Sequence, residues 1–130
     1  MRLFAVIPLV LWSVSAAAFD AARWTRVNGG TWIPSPTELR KLEASVIPAV
    51  GSATQNMSRT PQWSEYAFQF QGRTGPRGQK FVFVNAFCRY DGGQLDVQWV
   101  TVDDGGPCYF SAKYDPQDRR IYDLRINANA

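Results

Sequence analysis

The chain has 130 residues, 45% of them hydrophobic, and a formal net charge of +3. This length and composition suit one folded domain and exclude a disordered chain, and so small a charge gives no argument for nucleic-acid or membrane binding. The sequence contains no histidine. This excludes the histidine general base, the Ser-His and Cys-His nucleophile systems and the ordinary zinc sites, so we expect a non-enzymatic protein without cofactor or metal.

An export signal is predicted at the start of the chain. Arg2 supplies a positive charge, residues 3–14 form a short apolar segment, and small residues precede a predicted cleavage point between Ala18 and Phe19. A membrane span needs about 20 apolar residues. The run is shorter than that and is interrupted by serines, so we expect no stable membrane span after the signal is removed.

Cleavage at this point divides the chain into a signal peptide, residues 1–18, and one α+β domain, residues 19–130. The export signal predicts that this domain is periplasmic or secreted. We expect its partner to be another exported or envelope protein.

A helix is predicted to begin at Ser35. This serine can cap the helix, Pro36 suits the first helical position, and Glu38 can complete a capping box. Pro48 is expected to kink or end the helix near Val46. Apolar residues follow one another at spacings of three and four and predict a stripe that covers a sheet: Leu39, Leu42, Val46 and Val50.

The segment from Lys80 to Cys88 is predicted to be the central strand, because its apolar residues fall on both parities of a period-2 pattern. Such a strand must be covered on both faces. Alternation over residues 66–71 predicts a neighbouring strand with one wet face. Turn signals divide the remainder into strands over residues 94–102, 108–114 and 120–126. The predicted fold is α+β, with one N-terminal helix packed on a four- to five-stranded antiparallel sheet.

The chain contains two cysteines, Cys88 and Cys108. We expect a disulfide between them, since cysteine pairs in exported proteins are usually oxidised. A plain meander argues against this, because it places Cys108 level with Val82, roughly 20 Å along the sheet from Cys88. A disulfide needs Cα atoms about 5.5 Å apart. Pairing therefore requires a bulge, a register shift or a different strand order.

Three cations form the first group of candidate binding residues. Arg73, Arg77 and Lys80 are predicted to lie in or beside a loop, residues 72–78, that joins the first two strands of the meander. Their side chains suit a phosphate, an anionic glycan or an acidic partner. A solvated hairpin tip also explains them.

Acidic and aromatic residues form the second group. Asp103 and Asp104 are expected in a loop at the same end of the meander as the cations. With Asp91 and Asp96 they could provide the paired carboxylates of a glycosidase, although aspartate beside glycine is expected in turns. Trp99 is assigned to the core. The tryptophans at element ends are candidates for stacking on sugars or filling a partner's pocket: Trp24, Trp32 and Trp63.

A glycine-containing arm, one helix and then an antiparallel sheet resemble the cystatin-like fold. Gly29 and Gly30 precede the helix, Gln71 and Gly75 match the ends of the Gln-x-Val-x-Gly hairpin pattern, and Pro107 lies where that family has Pro-Trp. Arg73 replaces the valine of this pattern and Cys108 the tryptophan. The resemblance implies a wedge that plugs cysteine proteases. The chain from Asp104 onward also resembles small exported bacterial proteins of unassigned function, which implies localisation alone.

Three functions follow from these observations. The first is a small exported binding or inhibitory module that acts through loops at one edge of its sheet. The second is a small-ligand or glycan-binding domain, or an enzyme, that uses the concave face of the sheet. The third is a structural component of the cell envelope.

Overall fold

The computed structural model of the protein describes residues 3–8, 19–88 and 92–127. The predicted cleavage residue Ala18 and the predicted turn residue Asp91 lie outside these ranges. In the described part of the chain, no helix has the length and apolar character needed to cross a membrane. The regular elements are β1 (Trp24–Arg26), α1 (Pro36–Ala53), β2 (Tyr66–Thr74), β3 (Lys80–Cys88), β4 (Tyr109–Asp115) and β5 (Arg120–Ile126), with 3₁₀ turns at Ala21–Arg23, Trp63–Glu65 and Gly106–Cys108.

One five-stranded sheet, in the order β1-β2-β3-β4-β5, carries α1 on one face. The predicted α+β fold is therefore confirmed. The sheet is mixed rather than antiparallel, since β1 runs parallel to β2 while the other three strand pairs are antiparallel. The connection explains this difference, because α1 carries the chain from the end of β1 back to the start of β2.

The helix begins where the sequence predicts. The Ser35 Oγ accepts a hydrogen bond from the Glu38 N–H at 3.2 Å, and Pro36 is the first helical residue. The helix does not end near Val46 but continues through Pro48 to Ala53. Four apolar residues of the predicted stripe are buried against the sheet, three before Pro48 and one after it: Leu39, Leu42, Val46 and Val50. Pro48 has no N–H to donate within the helix. The apolar residues buried before and after it hold this helical turn in place despite the missing hydrogen bond.

The inner face of the sheet, which is the face under α1, forms the core. Trp24 belongs to this core and not to the surface, because it is buried and its ring stacks on Phe68 with centroids 4.2 Å apart. Such stacked aromatic pairs add to the stability that area burial provides. The strand residues of the core are Tyr66, Phe68, Phe70, Val82, Val84, Ala86, Cys88, Phe110, Ala112 and Tyr114.

The predicted strand over residues 94–102 is wrong. Within residues 92–102 the chain forms no strand and instead crosses the sheet face opposite α1, held by hydrogen bonds from Gln69 and Asn85. We call this segment the strap and the face that it crosses the outer face. The strap explains why β3 is apolar on both parities, since α1 covers one face and the strap covers part of the other. The wet face predicted for β2 is also wrong, because Gln69 is 0% and Gln71 is 8% exposed.

Because the strap leaves the sheet, β4 pairs directly with β3. The register sets Phe87 opposite Tyr109 in the antiparallel pair. Cys88, which follows Phe87, therefore comes opposite Cys108, which precedes Tyr109. The predicted separation of the cysteines, with Cys108 level with Val82, is therefore wrong. The two residues lie near each other but not at disulfide distance.

Candidate functional site

The two predicted binding loops lie at opposite ends of the sheet. Residues 75–79 join β2 to β3 at the Lys80 end of β3, whereas residues 103–107 precede β4 beside the Cys88 end. Nine residues of β3 separate the two ends, a distance of about 26 Å at the usual rise per residue. The predicted shared edge is therefore wrong, because the strap returns the chain to the end of the sheet at which it left β3.

The outlying candidate residues have ordinary surroundings. Asp103, Asp104 and Arg77 are exposed. Lys80 is exposed as well, and its Nζ lies 5.3 Å from the centre of the Trp32 ring. Trp32 is half-buried, and its Nε1–H donates to the backbone oxygen of Arg73 at 2.9 Å. These contacts attach the arm before α1 to β2.

Trp63 extends the core at the end of the sheet where β2 begins. It is half-buried, and its ring centre lies 5.3 Å from the rings of both Tyr66 and Phe68. The side chain is therefore packed against the inner face, where it contributes apolar contacts.

Two glycines let the arm approach β2 closely. A Cβ atom on Gly72 would lie 2.2 Å from the backbone oxygen of Trp32, and one on Gly30 would lie 2.3 Å from the oxygen of Gly72. Side chains at these positions would force the backbones apart. This approach brings Asn28 and Val27 over the outer face, where their carbonyls accept from the Gln71 Nε2 at 2.8 and 3.5 Å.

A groove of about 300 Å³ lies on the outer face between the strap and β4. A smaller depression of about 100 Å³ continues it toward the end of β5 and shares several of its lining residues. We call the larger one the outer groove. Its wall takes one residue from β2, two from β3, one from β4 and three from the strap: Arg73, Phe83, Asn85, Ser111, Trp99, Val100 and Thr101.

Buried amides fix the strap along the groove. The Gln69 Nε2 donates to the backbone oxygens of Leu95 and Gln98 at 2.9 and 2.6 Å, and its Oε1 accepts from the Val100 N–H and the Asn85 Nδ2 at 2.9 and 3.1 Å. The Asn85 Nδ2 donates further to the Val100 oxygen at 2.9 Å. The strap is thus positioned without a strand ladder, because side-chain amides satisfy its backbone groups.

Arg73 lies in the wall of the outer groove, stacked on aromatic rings. Its Cζ lies 4.4 Å from the centre of the Phe83 ring and 5.4 Å from that of Trp99, and its Nε donates to the Gln71 Oε1 at 2.8 Å. Among the described residues, no carboxylate forms an ion pair with it. Burial lowers the pKa of the Arg73 guanidinium, which nevertheless stays cationic at neutral pH.

The sequence predicted Arg73 as a binding residue of the loop over residues 72–78, whereas the structure places it in β2. The other residues of the groove were missed. Trp99, assigned to the core, is half-buried in the groove wall, with its ring edge-on to Phe83 at 5.1 Å. The groove forms only where the strap crosses β3 and β4, so no local pattern marks it. One signal was available, since Asn85 is the single polar residue inside a strand that is otherwise apolar on both parities.

Comparisons with protein-family models, with curated proteins and with solved structures find no match to this chain. Within residues 3–8, 19–88 and 92–127, no cluster of three or more cysteine, aspartate or glutamate side chains could hold a metal ion. The functional proposal therefore rests on the chemistry of the outer groove.

Proposed function

We propose that this protein is a small-ligand-binding domain and that the outer groove is its binding site. The observation that carries the proposal is Arg73, a half-buried cation that lies over the Phe83 ring and beside Trp99, with no ion-pair partner among the described residues. Partial burial of this charge costs desolvation free energy, which an ion-pair partner would offset. A ligand in the groove would supply the missing interaction.

The size and lining of the groove support a small ligand. Ligand pockets are mostly apolar, with a few placed polar groups, and they start at about 300 Å³. The outer groove has about this volume, apolar walls at Phe83, Trp99 and Val100, and polar groups at Asn85 and Ser111.

The groove is also built on rigid parts. Arg73, Phe83 and Ser111 belong to three neighbouring strands of the sheet, and buried amides hold the strap that provides the opposite wall. Sites on strands keep their geometry better than sites on loops, so binding requires little ordering of the protein.

The proposal is tested by NMR titration of the ¹⁵N-labelled protein with a set of small aromatic acids, amides and amines. We expect shifts at the backbone amides of Asn85, Trp99, Thr101 and Ser111. The variant Ser111→Phe fills the groove and should weaken binding at least about tenfold, that is by about 1.4 kcal/mol.

Ser52→Phe is the matched control, since Ser52 is exposed on α1 at the other face of the sheet. Shifts that map away from the groove, or binding that survives Ser111→Phe, would overturn the proposal.

The loop-based binding or inhibitory function has weaker support. Arg77 and the pair Asp103 and Asp104 are separated by the length of β3, so they do not form one compact binding surface. The Gln71 and Arg73 side chains lie on the outer face of β2, and a partner at the hairpin tip would contact neither. The groove therefore gives the better supported function.

We further propose that residues 1–18 direct export and that Cys88 and Cys108 form a disulfide in an oxidising compartment. The predicted first mature residue, Phe19, packs on Trp24 with ring centres 5.6 Å apart, which fits a folded domain that begins there. The β3–β4 register supports this proposal, because Cys88 follows Phe87, Cys108 precedes Tyr109, and Phe87 lies opposite Tyr109.

A further inference from the structure

We propose that the outer groove selects a small aromatic monocarboxylate, with the carboxylate on Arg73 and the ring against Trp99. This inference rests on the proposed function and adds the chemical class of the ligand. It is carried by the hydrogen-bonding geometry of Arg73 and by the charge of the groove lining.

The hydrogen bonds of Arg73 leave its terminal nitrogens for a ligand. The Nε donates to the Gln71 Oε1 at 2.8 Å, and within the described residues the two Nη nitrogens have no protein acceptor. Gln71 is itself fixed by its bond to the Asn28 oxygen. The guanidinium is therefore held at one edge, and its other edge offers two parallel N–H donors.

Stacking on Phe83 restricts rotation of the guanidinium. The Arg73 Cζ lies 4.4 Å from the ring centre, so the cation is attracted to the ring face, and this contact and the Nε bond to Gln71 together oppose rotation of the guanidinium. A fixed fork of two donors matches the two oxygens of a carboxylate. Phosphate can accept the same fork, so the charge of the lining decides between the two ligands.

Among the described residues that line the groove, Arg73 is the only charged one. A phosphate monoester carries nearly two negative charges at neutral pH, and a single arginine would leave one of them uncompensated in a partly apolar groove. A carboxylate carries one charge, which Arg73 balances. The lining therefore favours a monoanion.

The remainder of the groove suits a planar ring. Phe83 and Trp99 meet edge-on at an angle of 82°, which makes an aromatic corner next to the guanidinium. The Oδ1 of Asn85 has no hydrogen-bond donor among the described residues, since both bonds of this side chain use its Nδ2. A ring hydroxyl on the ligand can donate to this oxygen, so 4-hydroxybenzoate is a suitable probe.

The test compares 4-hydroxybenzoate with its neutral analogue 4-hydroxybenzamide in NMR titrations that follow the Trp99 indole N–H. This signal is assigned with Trp99→Phe. For the native chain we expect the acid to bind at least about tenfold more tightly than the amide. Arg73→Gln should remove this preference, and Arg73→Lys, which keeps the charge and loses the fork, should retain only part of it.

Arg77→Gln is the matched control, because it removes the same charge at the exposed hairpin tip. This variant should keep the full preference for the acid. A circular dichroism spectrum checks that each variant is folded, and the comparison of acid with amide on the native chain needs no variant at all.

Each outcome has a separate meaning. Equal binding of acid and amide in the groove would overturn the carboxylate inference and leave the proposed function in place. A preference that survives Arg73→Gln would also overturn the inference. If neither compound shifts the Trp99 signal at millimolar concentration, the inference fails, and the proposed function is decided by its own titration with the wider set of compounds.

Discussion

Gln69 is the residue that connects the sheet to the strap. Its side chain has no exposed surface, and its amide makes four hydrogen bonds, to the backbone of Leu95, Gln98 and Val100 and to Asn85. Every donor and acceptor of the amide is therefore satisfied, which is the condition under which a buried polar side chain stabilises a fold.

Gln69→Leu is predicted to destabilise the protein by about 2–4 kcal/mol, because leucine leaves several buried donors and acceptors without partners. Urea unfolding followed by circular dichroism measures this free energy. The same change should broaden or shift the Trp99 indole signal, since the strap loses its attachment.

Gln98→Leu serves as the control for this substitution. The Gln98 side chain is exposed, and only its backbone oxygen contacts Gln69. Its effect should stay within about 0.5 kcal/mol. Equal losses for the two variants would contradict the role assigned to the buried amide.

At the scale of elements, the strap matters because it begins soon after Cys88 and ends shortly before Cys108. The Tyr66 hydroxyl donates to the oxygen of Pro107, which fixes the chain just before β4. The β3–β4 register then brings the two cysteines to equivalent positions. A disulfide here would close a loop that contains the whole strap.

Oxidation with glutathione disulfide is predicted to join Cys88 to Cys108. The two thiols lose two protons and two electrons, and the glutathione disulfide is reduced to two thiols. The free energy of unfolding should be about 3 kcal/mol higher for the oxidised protein. The reason is that the disulfide closes a loop of about 20 residues and so lowers the conformational entropy of the unfolded chain. Intact mass, alkylation and urea unfolding measure the outcome.

The variant with both cysteines replaced by alanine should not respond to the oxidant. Alkylation of both thiols after full equilibration with glutathione disulfide would show that the pair does not bond. In that case the pairing predicted for this chain is wrong.

At the scale of the molecule, two buried tyrosines stand at opposite ends of the core. In the strand register, Tyr66 lies opposite Cys88 at one end of β3, and Tyr114 lies opposite Val82 near the other end. Burial, followed by repulsion from Cys88, raises the pKa of Tyr66 well above its usual value. Burial, followed by repulsion from Glu38, raises the pKa of Tyr114.

Stability is therefore predicted to fall in alkali. Below about pH 10 the two phenols are protonated in both the folded and the unfolded protein. Above this pH the phenols lose their protons in the unfolded chain and keep them in the folded one. Each such tyrosine then lowers the free energy of unfolding by about 1.4 kcal/mol per pH unit. Urea unfolding between pH 8 and pH 11 measures the slope.

Tyr66→Phe should reduce this alkaline slope, even though it also loses the hydrogen bond to Pro107 and lowers stability at neutral pH. Ultraviolet titration near 295 nm should show that one of the five tyrosines, Tyr66, ionises only on unfolding. An unchanged slope in the variant would contradict the burial mechanism.

Local patterns predicted the parts of the fold that depend on neighbours in sequence. The Ser35 cap, the apolar stripe of α1 and the central place of β3 follow from spacings of one to four residues, which α-helices and strands impose directly. The same patterns failed at residues 94–102, where alternation predicts a strand. Local patterns do not show whether this segment or β4 pairs with β3, because that choice depends on contacts between segments distant in sequence.

The sequence by itself determined the fold class, the start of the helix and the absence of histidine chemistry. Only the tertiary structure decided that the strap crosses the outer face, that Cys88 comes near Cys108 and that Arg73 lies over Phe83 and beside Trp99. The physical reason is that each of these features joins segments distant along the chain. Their positions depend on competition between alternative pairings, and the side-chain amides of Gln69 and Asn85 favour the strap in that competition.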